Sequence, residues 1–252
     1  MFQSMIMAFS MYSRIPMPRV EWNKENMKYV LCFFPFVGAV TGMFNIFCFF
    51  ICKKMEIGTT LSSVILTILP LLVNGGIHMD GFLDTIDAKS SYKSREERLD
   101  ILKDPNTGAF AVIYGMIYML LSFGLFSEIT EKEIFFVAVG YFFSRALSGF
   151  SVATFQKARK EGMAASTAES ANQWVKRILF MELCLGGIIY LLLQPVMGIL
   201  CIITGFFVFV YYRNMAYKQF GGITGDLAGY FLQCCELMIL LVVVLAEKLF
   251  FS

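Results

Sequence analysis

Charged residues are scarce in this sequence of 252 residues: Asp, Glu, Lys and Arg together make up 16%, whereas hydrophobic residues make up 58%. This balance, with a mean hydropathy of +0.67, excludes an ordinary soluble domain, whose surface needs more charge. The formal net charge of +2 leaves no basic excess for a nucleic-acid-binding surface. The composition therefore predicts a polytopic protein in a lipid bilayer, with no nucleic acid partner.

The cysteines carry no metal-binding or disulfide pattern. The sequence has seven, none in a Cys-x-x-Cys pair, and all lie in or beside apolar stretches. Thiols in such places usually behave as small hydrophobic groups. This spacing argues against a zinc site or a disulfide framework.

Long apolar segments dominate the rest of the chain. Proline is scarce, with six in all, and Pro195 divides one long apolar run into two. The predicted fold is all-α, a transmembrane helical bundle of seven spans, give or take one, over residues 30–252. Residues 1–29 lack the pattern of a signal peptide and are predicted as an interfacial N-terminal segment of the same single domain, 1–252. The spans are predicted at 30–52, 58–77, 109–127, 134–155, 178–194, 196–212 and 232–251.

Positive charge alternates between the loops of this arrangement. Sixteen of the 21 Lys and Arg residues lie in the N-terminal segment and in every second loop, four lie on the other side, and Arg145 lies within a span. Cytoplasmic loops of membrane proteins carry the excess of Lys and Arg. We therefore expect the N-terminus and the polar loops at 78–108, 156–177 and 213–231 to lie in the cytoplasm.

The first of these loops concentrates carboxylates. Five of the six aspartates fall within residues 80–104, and Asp80, Asp84 and Asp87 share one face if the segment GGIHMDGFLDTIDA is helical. No Lys or Arg stands three or four residues after Asp80 or Asp84 to pair with it. This pattern favours a divalent cation site over the alternative, a solvated helix face. The preceding Gly75 and Gly76 are expected to release the apolar helix.

His78, the only histidine, is either an ordinary interfacial residue or a proton-transfer or metal group. Further on, Ser94 and Glu97 form a capping box that predicts a helix through Lys103. Asp104 follows that helix directly, where it could return to the first carboxylates and complete an oxygen cage for Mg²⁺.

Two later motifs add candidates for anion binding. The loop QKARKEGMAASTAES mixes basic with small polar residues, which indicates either a solvated surface or an anion site, and Arg145 within a span is a site candidate by default. The third loop, GGITGD, places three glycines before Asp226. A glycine-rich turn that opens a helix presents backbone N–H groups to phosphate. Together with the carboxylates, it points to a nucleotide or diphosphate substrate.

The motifs together resemble one family. GGIHMDGFLDTIDA resembles the Gly-Gly-x-His-x-Asp-Gly-x-x-Asp-Thr-x-Asp-Gly signature of the cobalamin synthase (adenosylcobinamide-GDP ribazoletransferase) family, and the likeness extends from about residue 8 to 240. It includes FFSRALSGF, the KARKEGM loop and GGITGDLAGY. The chain departs from the family in having Pro105 and Asn106 where Ser-Arg usually follows the aspartate at position 104, and Ala88 where a glycine usually follows Asp87.

The resemblance implies a Mg²⁺-dependent, multi-pass transferase in the inner membrane of a prokaryote. Such an enzyme joins adenosylcobinamide-GDP to α-ribazole or its 5′-phosphate and releases GMP. The metal ligands are predicted to be Asp80, Asp84, Asp87 and Asp104. The residues for the chemical step are predicted to be His78, Asp80, Asp84, Asp87 and Arg145. Substrate contacts are predicted for Lys103, Gly221, Gly222, Gly225 and Asp226.

Two other functions have related patterns. A CDP-alcohol phosphatidyltransferase also uses an Asp-Gly ladder at a membrane face, but its Ala-Arg after the first Asp-Gly and its final Asp-x-x-x-Asp do not occur here. A cation-coupled transporter also contains carboxylates and broken helices. Its paired carboxylates at the midplane of two related halves do not occur here. The sequence leaves a homo-oligomer open.

Overall fold

A computed structural model of the chain describes residues 1–159 and 162–250, and these form twelve helices. The helices are α1 (Phe2–Tyr12), α2 (Lys24–Met27), α3 (Val30–Lys54), α4 (Thr59–Asn74), α5 (Ile77–Ser90), α6 (Arg95–Ile101), α7 (Ala109–Phe126), α8 (Glu133–Thr154), α9 (Met163–Ser170), α10 (Gln173–Leu193), α11 (Pro195–Phe220) and α12 (Gly225–Phe250). The predicted all-α bundle is confirmed.

Each of the seven predicted spans falls on a helix: α3, α4, α7, α8, α10, α11 and α12. By length and composition, five helices of the described chain could cross a membrane, and the pair α4 and α5, bent by 94°, raises the number to six. The two helices outside the five are α4, with only 16 residues, and α10, which carries Lys176, Arg177 and Glu182. The last predicted span ends at residue 251, outside the described residues.

The connections sort into two ends of the bundle. Ion pairs of Lys53 with Glu131 and of Lys248 with Glu128 join the last turns of α3 and α12 to the loop after α7. The loops around residues 75, 157 and 222 meet at the other end, where Ala158 donates a backbone hydrogen bond to Ile223. The three polar loops therefore share one end of the bundle, as the sequence predicts.

The α8 helix is the centre of the bundle, with almost all of its residues buried. Its closest neighbour is α3, whose Gly38 and Gly42 lie against the α8 backbone: a Cβ added at Gly42 would come within 2.5 Å of the carbonyl oxygen of Ala138. Small residues let membrane helices approach this closely. The α7 helix, by contrast, exposes most of its apolar side chains, as expected of a surface in contact with lipid.

Gly42→Val is expected to lower the free energy of unfolding by about 1–3 kcal/mol, because the valine side chain would push α3 away from α8. Thermal unfolding in detergent measures this as a lower Tm. The matched control is Gly124→Val on α7, where an added Cβ meets no atom within 4 Å. Equal Tm values for the two variants would contradict the close packing of α3 on α8.

The N-terminal segment packs on the bundle. The α1 helix buries Ile6, Met7 and Phe9 as it packs against α3, while Met1 and Phe2 are exposed. Beyond α1, the backbone N–H of Arg14 donates to the carbonyl oxygen of Val73 at 2.7 Å. These contacts place the C-terminal end of α1 beside the break between α4 and α5.

Candidate functional site

A cavity of about 330 Å³ opens where the three polar loops and the end of α1 meet. Helix interiors and loop residues both contribute to its wall. The lining residues with polar or aromatic side chains are Tyr12, Phe34, His78, Asp80, Ser148, Lys157, Arg159, Thr224 and Asp226. The main candidate residues of the first and third loops, His78, Asp80 and Asp226, therefore face a common space.

Two glycines aim the start of α5 into this cavity. Gly75 and Gly76 have φ angles of +64° and +77°, which residues with a Cβ rarely adopt. A Cβ at Gly75 would also come within 2.5 Å of the Arg14 side chain. The predicted release of the apolar helix at this pair is confirmed, and the resulting bend turns His78 and Asp80 toward the cavity.

The glycines of GGITGD serve different purposes. Gly221 ends α11 with φ of +73° and packs against the guanidinium of Arg95. Gly222 allows close approach of the segment 156–158, because an added Cβ would lie 2.6 Å from the carbonyl oxygen of Gln156. Only Gly225, the first residue of α12, has open space where a Cβ would be and lines the cavity. Of the three glycines predicted to contact substrate, Gly225 is therefore the one placed for it.

Close packing of α5 on α12 gathers carboxylates beside the cavity. A Cβ at Gly81 would lie 2.7 Å from the backbone oxygen of Asp226, so the two helices touch there. Burial, together with the negative charges of Asp80, Asp226 and Asp87, raises the pKa of Asp84 to about 6. None of these carboxylates forms a salt bridge within the described residues, although the positive charge of Arg159 acts on Asp226.

Two of the four predicted metal ligands are engaged elsewhere. Asp87 accepts backbone hydrogen bonds from Gly108 at 2.5 Å and Ala111 at 2.8 Å and so caps the start of α7. Asp104 is exposed and accepts hydrogen bonds from the backbone and side chain of Asn106, which lower the pKa of its carboxyl group. Within residues 1–159 and 162–250, no three His, Cys, Asp or Glu side chains are already arranged around a metal position.

His78 is buried and lies in contact with the rings of Tyr12 and Phe34. Burial, with a smaller contribution from the positive charge of Arg145, holds the pKa of His78 well below its usual value, so the imidazole is neutral. Its Nε2 atom has no hydrogen-bond partner among the described residues. The histidine is thus both buried and part of the cavity wall.

Arg145, predicted for the chemical step, and Lys103, predicted for substrate contact, do not line the cavity. Arg145 is fully buried, and its Nη1 donates to Glu236 Oε1 at 2.6 Å and to the carbonyl oxygen of Tyr141 at 2.9 Å. Lys103 is exposed and pairs with Asp100 at 3.6 Å. Each of the two cations thus has a nearby acidic partner, one inside the bundle and one on its surface.

Two other cations, Lys157 and Arg159, line the cavity instead. The Nε and Nη2 atoms of Arg159 have no hydrogen-bond partner in the described part of the chain. Burial and the nearby charge of Lys176 lower the pKa of Lys157 to about 8. The basic loop QKARKEGMAASTAES was the available signal, and its position at the cavity favours anion binding over a solvated surface. Lys160 and Glu161 of this loop lie outside the described residues.

One end of the apolar bundle thus brings together carboxylates, two cations and the first turn of a helix. This arrangement is typical of a membrane-embedded enzyme that acts on an anionic substrate. The chain belongs to the cobalamin-5-phosphate synthase family, whose sequence model matches residues 4–244. A relative from Lachnoclostridium phytofermentans is 44% identical over 97% of this chain and 94% of its own length. Relatives from Clostridium botulinum and Treponema denticola are 30% and 29% identical over 94% and 93% of this chain, and each match covers 95% of the relative. All three are named adenosylcobinamide-GDP ribazoletransferase. No solved structure matches the chain.

Proposed function

We propose that this chain is an adenosylcobinamide-GDP ribazoletransferase, a transferase of cobalamin biosynthesis. A hydroxyl oxygen of the α-ribazole ribose forms a bond to the phosphorus next to cobinamide, the anhydride bond to GMP breaks, and the hydroxyl proton is released. The observation that supports this reaction is the cavity in which carboxylates, the start of α12 and the guanidinium of Arg159 converge, with Arg159 Nε and Nη2 free of hydrogen bonds to the described residues. Such transfers depend on positioning and charge neutralisation more than on covalent help.

The acidic cluster of Asp80, Asp84 and Asp226 would hold Mg²⁺, because carboxylate oxygens are its preferred donors and the negative charges of Asp80 and Asp226 act on Asp84 where α5 packs on α12. Compared with the four ligands that the sequence predicts, the proposed set omits Asp87 and Asp104 and adds Asp226. When bound, Mg²⁺ would neutralise charge on the diphosphate. The chain's own cations, Lys157 and Arg159, stabilise the phosphate of the departing GMP. One of the aspartates accepts the hydroxyl proton, because burial disfavours the protonated form of the His78 imidazole.

Membranes that contain the protein should convert adenosylcobinamide-GDP and α-ribazole into a cobamide and GMP when Mg²⁺ is supplied. Vector-only membranes are the control. Formation of a phospholipid from a CDP-activated lipid would instead indicate a phosphatidyltransferase. Substrate-independent cation uptake into vesicles, without GMP, would indicate a transporter.

Arg159→Gln is expected to raise the KM for adenosylcobinamide-GDP by about tenfold or more, because a charge-assisted contact to phosphate is worth roughly 1.5–3 kcal/mol. The KM for α-ribazole should change much less. Steady-state kinetics with each substrate varied in turn measures both. Arg177→Gln is the matched control, because Arg177 is exposed and stacks on Trp174 away from the cavity. Equal KM values in the Arg159 and Arg177 variants would remove Arg159 from the phosphate site.

We place the cavity end of the bundle in the cytoplasm, since the loops of that end carry most of the Lys and Arg residues. In intact cells, a cysteine replacing Ser91 in a cysteine-free background should resist a membrane-impermeant thiol reagent until the cells are broken. A cysteine replacing Lys132, at the opposite end, should react in intact cells. The reverse pattern of labelling would show that the cavity end of the bundle faces away from the cytoplasm.

A further inference from the structure

The Lys89 side chain, in the last turn of α5, lies between two tyrosines of neighbouring helices. Its Nζ atom donates hydrogen bonds to the hydroxyl oxygens of Tyr211 on α11 at 3.1 Å and of Tyr230 on α12 at 2.9 Å. The same atom lies 5.5 Å from the ring centroid of Tyr211 and 4.7 Å from that of Tyr230. These contacts hold the ammonium group in one position and join the end of α5 to two helices long and apolar enough to cross a membrane.

This lysine has no acidic partner. Among the described residues, no carboxylate forms a salt bridge with Lys89, although its side chain is partly buried. Charges that are withdrawn from water are usually paired with an opposite charge. An ammonium group has three N–H donors, and the two tyrosine hydroxyls accept two of them. The third donor and the positive charge are therefore available to an anion from outside the chain.

Lys89 is separate from the cavity of the candidate site. It follows Asp80 by nine residues, which at about 100° per residue places the two side chains on opposite faces of α5. Lys89, Tyr211 and Tyr230 are all absent from the lining of the cavity. Phe82, two turns before Lys89 on the same face, stacks on Tyr230 with ring centroids 5.6 Å apart. Lys89 therefore serves a different ligand from the residues of the cavity.

The exposed surface of α11 changes from apolar to polar at Tyr211. In residues 201–210 the exposed side chains are Ile203, Phe206, Phe207 and Val210, whereas in residues 212–220 they are Arg213, Asn214 and Lys218. Tyrosines are frequent where the hydrocarbon of a membrane meets the headgroups, and Tyr211 is itself 46% exposed. Lys89 and Tyr211 therefore lie at the level of the lipid headgroups.

We propose that Lys89, Tyr211 and Tyr230 form a binding site for the headgroup of an anionic phospholipid. The remaining N–H of Lys89 donates to a phosphate oxygen, and the exposed Tyr211 hydroxyl lies beside it. Tyr230, only 5% exposed, holds the lysine from inside the bundle. The acyl chains lie along the exposed apolar side chains of α11, which a free phosphate ion could not use.

The site favours a headgroup that carries no ammonium group, such as phosphatidylglycerol. The ammonium group of phosphatidylcholine would bring a second positive charge close to Lys89, and like charges repel. This selectivity does not depend on the transferase function, because it follows from the charge and position of Lys89 alone.

The first test is native mass spectrometry of the full-length protein in detergent, titrated separately with phosphatidylglycerol and phosphatidylcholine. The first phosphatidylglycerol should bind at least about fivefold more tightly than the first phosphatidylcholine, the gain expected from one basic residue beside an anionic lipid. Inorganic phosphate, added in excess, should not displace the bound phosphatidylglycerol. Equal affinities for the two lipids, or complete displacement by inorganic phosphate, would overturn the proposal.

Lys89→Met should remove most of this preference, because it keeps a long side chain but loses the charge. Lys89→Arg should retain the preference, and Tyr211→Phe, which keeps the ring and the packing, should weaken it by a smaller factor. Lys28→Met is the matched control, because Lys28 is also partly buried and lies over one tyrosine ring, 5.3 Å from the Tyr29 centroid. Equal losses in the Lys28 and Lys89 variants would reveal a general effect of surface charge and overturn the site.

The second test compares thermal unfolding and turnover. Phosphatidylglycerol added to the detergent should raise the Tm of the wild type and of Lys28→Met but not that of Lys89→Met, since a ligand that binds only the folded protein stabilises it. Release of GMP by Lys89→Met should stay close to that of the wild type. Lost turnover with an intact lipid preference would assign Lys89 to the substrate and overturn the lipid site. A wild type that selects phosphatidylglycerol but forms no cobamide would support this site and refute only the proposed function.

Discussion

Asp80→Asn is expected to lower turnover at least about a hundredfold while the protein stays folded in the membrane. The Asp80 carboxylate lines the cavity and is exposed, so an asparagine of nearly the same shape fits without strain. It removes a negative charge and a hard oxygen ligand, and loss of one such electrostatic group typically costs 10²–10³-fold in rate. Asp84→Asn should act in the same direction, because Asp84 shares the acidic cluster.

The measurement is GMP release by membranes with equal amounts of inserted protein, over a series of Mg²⁺ concentrations. Asp100→Asn is the matched control, because Asp100 lies on the exposed helix α6 and pairs only with Lys103 in the described structure. It should retain nearly full activity. Turnover of Asp80→Asn within a few-fold of the wild type would indicate that the carboxylates form an ordinary solvated helix surface.

The second large effect concerns the ion pair inside the bundle. Arg145→Met should destabilise the protein by about 3–5 kcal/mol, because it leaves the carboxylate of Glu236 buried without its partner. Glu236→Leu should do the same for the guanidinium. The double variant, with apolar residues of similar size at both positions, should recover most of the lost stability.

Thermal unfolding in detergent would show two low Tm values and one near that of the wild type. The double variant also tests the catalytic role that the sequence suggests for Arg145. If it is stable and active, Arg145 acts through the fold alone. A stable but inactive double variant would show that Arg145 is needed for the reaction, and single variants as stable as the wild type would contradict the buried pair.

The parts of the fold that follow local rules could be predicted from the sequence. The spans follow from apolar length, the bend before α5 from Gly75 and Gly76, and the start of α6 from the reciprocal hydrogen bonds of Ser94 and Glu97. Each depends on residues within a few positions of one another. The predicted helix at α6 ends at Ile101 rather than Lys103, since the turn before Asp104 begins earlier.

The parts that depend on distant pairs could not be predicted. The sequence makes Arg145 a site candidate, because a charge within a span has no visible partner nearby. Its partner, Glu236, is 91 residues away, and only the crossing of α8 and α12 brings the two together. Asp104 follows the other aspartates closely along the chain, yet Asp226 reaches the cluster because α12 packs on α5. For the same reason, the sequence does not predict that Lys157 and Arg159 line the cavity, because their position depends on the pairing of segment 156–158 with Ile223.

The position of Tyr12 has a practical consequence for work with the protein. A fusion at the N-terminus adds mass to a helix whose last residue lines the cavity, and removal of the first helix would take away part of that wall. The end of α12, where Lys248 pairs with Glu128, lies at the opposite end of the bundle. An affinity tag or fluorescent reporter is therefore best attached at the C-terminus.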